Sequence, residues 1–408
     1  MTAVNVLLLG PGYPLEIPYF VRGLAAVGAR VFGVGDQPED QLPEMARRSL
    51  SGYLQVASMS DEPAVIDAVR RWVGSAEFAR VEALAESLVL LAARLRESLG
   101  ARGMRYEQVL PFRNKDRMKQ AVAAAGIRVA RHVRGCTPHE LREAAEEIGF
   151  PVCIKPIAGA GSTDTYRVES MNELDSVLRK ISHVSECNVE EFVEGEEYTF
   201  DTISIDGEIA YYNIAWYRPP PLIGRSVEWI SPQTVTLRDV DSPQFASGRE
   251  MGRKVIHALG YGTGFTHMEW FLKSDGEAVF GEVAARPPGA YSVHIMNFGS
   301  DIDTFTGWAE AVVHGTLSMK FERLYNCAIV FKRASGQGRI QRIEGLDRIL
   351  ASFGEHIVAV ELLPIGAARR NWVQTLLSDG LVIVRHPDLQ TTMDMADRIG
   401  TDLQLYAG

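Results

Sequence analysis

His267-Met-Glu269-Trp-Phe-Leu272 and Val279-Phe-Gly-Glu282-Val-Ala-Ala-Arg286, with Lys273-Ser-Asp-Gly276-Glu277 between them, form the stretch on which the reading of this chain turns. The flanking runs read as strands, and the middle run is a turn signal. A hairpin here brings Glu269 and Glu282 close enough to share one hard cation. Magnesium takes oxygen ligands at about 2.0–2.1 Å and keeps substrate phosphates in its shell. Arg286, four residues beyond Glu282, could reach the same phosphates or a substrate carboxylate.

Working upstream, further parts of a nucleotide site appear in order. Lys115 and Lys155 are candidate phosphate ligands, since a lysine is a compact point charge suited to a triphosphate. Lys155 follows Val-Cys-Ile in a strand and precedes Pro156, where a solvated lysine is not expected. Gly159-Ala-Gly161-Ser162-Thr163 could fold over phosphates with its N–H groups inward, although it lacks the Gly-Lys-Ser/Thr ending of a Walker loop. Glu190-Glu-Phe192-Val193-Glu-Gly-Glu-Glu197 is a strand that stops at a glycine turn. Its backbone could meet an adenine edge, and a carboxylate just beyond could accept from ribose hydroxyls. Gly10-Pro-Gly-Tyr13 imitates a dinucleotide fingerprint, but the third glycine is absent and Pro11 and Pro14 crowd the loop.

The opening is strand Val4–Leu9, helix 15–28 and strand Arg30–Gly35, a βαβ pattern that predicts a parallel sheet. Residues 76–99 predict one long amphipathic helix, and 108–112 a last strand of the first domain. A helix from Asn114 follows, then strand 127–132. The capping-box pair Thr137 and Glu140 opens another helix. Strands are expected at 152–156, 189–193 and 198–205, with Asp206-Gly207 turning into 208–216. Residues 219–224 read as irregular. Helices are expected over 243–259 and 301–314. The region 318–408 reads as short strands with helices near 345–352 and 388–399.

The chain has 408 residues, 46% of them apolar, so a large core in several domains is expected. A net charge of −10 argues against general nucleic-acid affinity. Cys136, Cys153, Cys187 and Cys327 show no zinc spacing, and a reduced cytoplasmic chain is expected. Residues 4–9 follow no basic region and read as a strand rather than a signal peptide. No uncharged run approaches the ~18–20 residues of a membrane span.

Taken in order, these motifs resemble the ATP-grasp superfamily, over roughly residues 1 to 315. The resemblance is closest to carboxylate–amine (L-amino acid or dipeptide) ligases with a biotin-carboxylase-like domain order. It implies an α/β chain with a parallel-sheet pre-ATP-grasp domain (1–112), a two-part α+β ATP-grasp domain (113–315, flap subdomain about 128–187) and a small C-terminal α+β domain (316–408). It also implies roles. Lys115 and Lys155 would contact the ATP phosphates, and the loop with Gly159, Gly161, Ser162 and Thr163 would be a flap over them. Glu190, Phe192 and Val193 would form the adenine hinge, largely through backbone groups, and Glu197 would hold the ribose. Glu269 and Glu282 would bind Mg2+, with Mn2+ as a substitute, and Arg286 would steady the acyl phosphate. One departure stands out: the family's further metal ligand, Asn two residues after the second glutamate, is Ala284 here. Two carboxylates suffice for magnesium when phosphates and water fill the shell.

The reaction implied is ATP-dependent joining of a small-molecule carboxylate to an amine through an acyl phosphate. Arg225, Glu228, Pro288 and Gly289 are the candidate substrate residues. Arg225 could bind a carboxylate and Glu228 an ammonium group. His267 and His294 read as structural histidines rather than bases. Three alternatives stay open: a carboxylase activating bicarbonate, a formate-activating purine enzyme, and a nucleotide-binding module without turnover. No nucleic-acid or membrane partner is expected, and a homodimer is the default.

Overall fold

The computed structural model describes residues 4–158, 163–372, 375 and 377–408. Strands β1 (Asn5–Leu9), β2 (Arg30–Gly35), β3 (Gly52–Gln55) and β4 (Arg80–Ala83) form a parallel sheet in the order β3-β2-β1-β4. Val6 to Leu9 are fully buried, the near-continuous apolar run of a strand covered on both faces. The winding direction changes between β1 and β4. The loops after these two strands therefore flank a crevice at the carboxyl ends, where open α/β sheets bind ligands.

Two expectations fail here. Residues 76–99 are not one helix: they form β4, a turn, and a helix over Val89–Leu99. All four residues of β4 are buried, and pairing with β1 overrides their helical spacing. Residues 108–112 are not a strand but part of a short helix, Tyr106–Val109, and a following 3-10 turn. Gln108 caps that helix by accepting from the Arg105 N–H at 2.9 Å. The helices Glu62–Val73 and Ser292–Ser300 had no counterpart in the sequence reading.

A second sheet comprises β5 (His132–Gly135), β6 (Val152–Pro156), β7 (Tyr166–Val168) and β8 (Cys187–Glu191), in the order β5-β8-β6-β7. Helices Pro138–Ile148 and Met171–Lys180 cover one of its faces through Leu141, Ile148, Leu174 and Val177, packed on Val152, Ile154 and Val189. Thr137 and Glu140 make the expected reciprocal cap.

The third sheet is nine-stranded. It contains β9 (Glu196–Ile205), β10 (Glu208–Asn213), β11 (Ala215–Arg218), β12 (Gln233–Thr236), β13 (Gly264–Leu272), β14 (Ala278–Ala284) and β15 (Asn326–Lys332). After β16 (Ser335–Gly336) and β17 (Ile340–Glu344), it is completed by β18 (Ile357–Leu362) and β19 (Gly380–His386). The order is β14-β13-β9-β11-β12-β15-β19-β18, with β10 on β9, and β20 (Gln404–Ala407) joins β16 and β17 in a small separate sheet. Strands from beyond residue 316 thus extend the sheet that carries the glutamate hairpin, through β12–β15 pairing. Residues 219–224, expected to be irregular, fall largely in a helix, Pro221–Ser226.

Helix Ala246–Ala258 lies on this sheet through two glycines. A Cβ on Gly248 would sit 2.2 Å from the Trp270 ring, and one on Gly252 2.4 Å from that of Phe200. Gly248→Ala should therefore cost about 1–3 kcal/mol by overpacking, despite alanine's better helix propensity. A urea midpoint at or above that of wild type would refute this. Among the described residues no helix is long and apolar enough to cross a membrane.

Candidate active site

β13 and β14 pair antiparallel with Glu269 directly opposite Glu282. The register shifts between Glu269 and Trp270, and Gly281 makes room for the irregularity: a Cβ there would lie 2.7 Å from the Glu269 carbonyl oxygen. On its other side β13 pairs with β9, setting His267, Glu269 and Phe271 against Asp201, Thr199 and Glu197. Side chains two apart share a strand face, so the acidic groups gather on one surface.

Their electrostatics call for a cation. Burial pushes the Glu197 carboxyl well up, and the Glu269 and Glu282 charges push it further. Burial would raise Glu282 too, but the Lys115 ammonium, 2.9 Å away, holds it below the usual carboxylate range. No group of three or more His, Cys, Asp or Glu is arranged to hold a metal among the described residues. The protein offers two opposed carboxylates, which fits magnesium, an ion that takes the rest of its shell from phosphates and water.

His267 is part of this surface. Its Nδ1 lies 2.6 Å from Asp201 Oδ1, and its Nε2 3.5 Å from Glu269 Oε1. Thr199 and Asn213 hold the other Asp201 oxygen. Burial would lower the His267 pKa, but Asp201 overrides it and lifts it to about 9. A raised histidine pKa stabilises the fold fully below the unfolded value of about 6.5 and loses that contribution as pH climbs through about 9. The metal-free protein should lose melting temperature over that window, and His267→Asn should flatten the slope. An equal slope in both proteins would refute this. Ala284 sits directly across from His267. His294 is packed among Tyr19, Tyr291 and Phe305, and burial pushes its pKa down to about 4.

The lysines and the hinge strand form a second buried group. Lys155, at the end of β6, pairs with Glu190 at 2.8 Å, and Lys119 lies 3.3 Å from the same oxygen. Burial opposes every charge here. The lysines nevertheless keep Glu190 below its ordinary value and Glu190 keeps Lys155 above its own, while burial wins at Lys119 and lowers it. The backbone of Glu190 lies between His132 of β5 and Cys153 of β6, so its side chain, not its backbone, faces the lysines. The Phe192 N–H donates to the Pro151 carbonyl at 3.1 Å, and its ring lies under Arg167. Val193 falls in the connection between β8 and β9. Gly159, Gly161 and Ser162 lie outside the described residues, whereas Thr163 is described and exposed.

The N-terminal sheet completes the cluster with a residue that sequence reasoning missed. Glu86, just after β4, accepts from Arg286 on one oxygen and from Arg113 on the other. Burial would raise its pKa, but the two guanidiniums lower it. Its signal was present as a carboxylate at the carboxyl end of a parallel strand, hidden while the segment read as one helix.

Arg225 and Glu228 lie on a segment that the C-terminal region holds. Glu228 pairs with Arg369 at 2.6 Å. Burial lowers the Arg225 pKa, and Arg225 lies close enough to Arg333 to help lower that group as well. The hold is a clamp from the C-terminal region: Arg333 donates to the carbonyls of Gly224 and Val227 at 2.8 Å each, and Lys332 to Ser231 at 2.8 Å. Pro288 is buried in the turn that follows Arg286, and a Cβ on Gly289 would meet nothing within 4 Å.

Residues 120–297 match the family model of the ATP-grasp domain. The chain is 27% identical to an L-arginine-specific L-amino acid ligase of Bacillus subtilis over 219 residues, 52% of each protein, so it aligns with about half of that relative's length. It is 24% identical to a formate-dependent phosphoribosylglycinamide formyltransferase of Bacteroides fragilis, over 70% of this chain and 72% of that one. Its fold matches the crystal structure of an L-amino acid ligase from Bacillus licheniformis with a TM-score of 0.81, 18% identity and 99% coverage of both chains. Residues 120–297 of this chain thus carry an ATP-grasp domain.

Proposed function

We propose that the protein joins a small-molecule carboxylate to an amine, using ATP and passing through an acyl phosphate. The observation that carries this reading is the opposed pair Glu269 and Glu282, beside Lys115 and near an Arg286 that Glu86 of the N-terminal sheet holds in place. Lys115 and Lys155 take the phosphates, Glu190 and Val193 the base, and Glu197 the ribose. Glu269 and Glu282 hold magnesium, which when bound supplies charge neutralisation between phosphates and carboxylate. Residues 1–112, 113–315 and 316–408 serve as substrate-side, nucleotide and accessory regions.

In the first step a substrate carboxylate oxygen bonds to the γ-phosphorus and the bond to ADP breaks. In the second, the amine nitrogen bonds to the acyl carbon, the carbon–phosphate bond breaks, and the amine proton leaves with phosphate or solvent. The protein acts by positioning and charge stabilisation. Arg286 is oriented at the acyl centre, and Glu86 with Arg113 keeps its guanidinium from swinging away. Glu86→Gln should raise the carboxylate KM about ten-fold or more, a charge-assisted bond's worth, with ATP affinity unchanged. Equal losses in both would mean that Glu86 only supports the fold.

The test of function is ADP and phosphate release with Mg-ATP against the twenty amino acids, singly and in pairs, with mass spectrometry of products. Turnover that needs a pair, with a product lighter by one water, establishes amino-acid ligation. The formyltransferase relative favours a second reading, activation of formate, so formate and bicarbonate complete the panel.

A further inference from the structure

On β8 the side chains alternate. Cys187 and Val189 enter the core beneath helices Pro138–Ile148 and Met171–Lys180. Glu190 points the other way, to Lys119 and Lys155. Asn188, two residues before Glu190, shares its face. Asn188 is 0% exposed, and neither its amide nitrogen nor its amide oxygen has a hydrogen-bond partner among the described residues. Beside it, Glu190 Oε1 and Lys119 Nζ are also buried without a hydrogen bond; Lys119 is within ion-pair range of Glu190 but is not aligned to donate. Buried polar groups are nearly always paired. Four such atoms without a hydrogen bond on one face, beside the Lys155–Glu190 pair, describe the floor of a site whose ligand brings the partners.

We infer that Asn188 is a further nucleotide-contacting residue, its N–H2 donating to the polyphosphate and its carbonyl accepting from a lysine ammonium. The inference rests on the ATP reading above. The register says which part of the nucleotide it meets. Asn188 is opposite Lys155, and Cys187 is opposite Pro156. Asn188 therefore lies further than Glu190 from the connection at Phe192 to Gly195, on the side where β6 ends at Pro156, beside the phosphate candidate Lys155. A polyphosphate only accepts, and it draws the lysines toward itself. The amide oxygen then has an ammonium to accept from, and the amide nitrogen a phosphate oxygen to donate to. A neutral donor between lysines adds a directional contact where another charge would add repulsion.

Asn188→Val and Asn188→Asp test this with two readouts: stability without ligand, and equilibrium affinity for ATP, ADP and adenosine by calorimetry. The valine variant removes a buried group that has no partner, so the ligand-free protein should melt at the wild-type temperature or higher. Its affinity for ATP and ADP should fall about ten-fold or more, with adenosine unchanged. The aspartate variant, near-isosteric but charged, should weaken ATP more than ADP and leave adenosine least affected. A valine variant that binds ATP as wild type does overturns the inference and assigns the amide to buried water. A valine variant that melts lower and loses adenosine as much as ATP also overturns it, in favour of a structural role. Wild-type protein that binds no nucleotide overturns the ATP reading itself, a result distinct from both.

Discussion

Glu282→Gln is expected to cut ADP release about 10²–10³-fold, the usual cost of removing one preorganised charge-stabilising group. The substitution keeps the shape of the side chain and its place opposite Glu269. What changes is charge. Lys115, paired with Glu282 at 2.9 Å, loses its counter-ion, and the surface that faces the phosphates becomes one unit more positive. ATP binds through its own negative charge, so its affinity in the absence of metal should hold or rise. Mg2+ or Mn2+ affinity in the presence of ATP should fall. Binding and turnover then move in opposite directions, a pattern that general misfolding does not produce. Unchanged turnover, with unchanged Mn2+ titration, would sink the metal assignment of this pair.

The largest stability effect should come from the reverse face of the other strand of the hairpin, β13. Trp270 is fully buried. Its ring stacks on Tyr198, fills the notch above Gly248 and donates to the Thr199 carbonyl at 3.2 Å. Trp270→Ala should cost about 3–5 kcal/mol, the range for a large aromatic cut from a core. The nearest atoms belong to a helix and a strand that cannot collapse into the gap without moving Glu197 and Glu269. Urea unfolding measures the loss. The same variant should lose metal-dependent turnover at temperatures where it is still folded, because Glu269 is the residue before Trp270. Pairing Trp270→Ala with Gly248→Ala checks the contact itself. The two costs should be less than additive, since the added methyl then enters the gap. Strict additivity would show that the ring and the glycine do not press on one another.

The hairpin was readable because everything it needs is local. Its turn, its alternation and its two glutamates lie within twenty residues or so, and a period of two admits one pairing that puts both carboxylates on one face. Lys155, at the end of an apolar strand, was readable for the same reason, being odd against its immediate neighbours. Lys115, behind the Asn114 cap, sits in a charged helical run and was readable only from the order of the motifs. Glu86 was not readable. It stands near residues 113 and 286 only because β4 inserts beside β1. Four buried residues with helix-compatible spacing do not announce that pairing. The pairing of Glu228 was not readable either. A loop carboxylate between strands looks available until Arg369, some 140 residues on, takes it.

By itself the sequence determined the local chemistry: a parallel βαβ opening, a caps-and-strands order, two lysines, an acidic hinge strand and a glutamate hairpin with arginine four residues on. Propensity, turn chemistry and charge are properties of neighbours along the chain, so they survive without a fold. The tertiary structure alone decided which of these groups share a volume. It put Glu86 on Arg286, turned the Glu190 side chain toward the lysines, pinned the 219–231 loop to the C-terminal strands and left Asn188 buried without a hydrogen-bond partner among the described residues. Those outcomes depend on long-range strand pairing and on burial, which sets what each charge costs. Neither is written in any single stretch of residues.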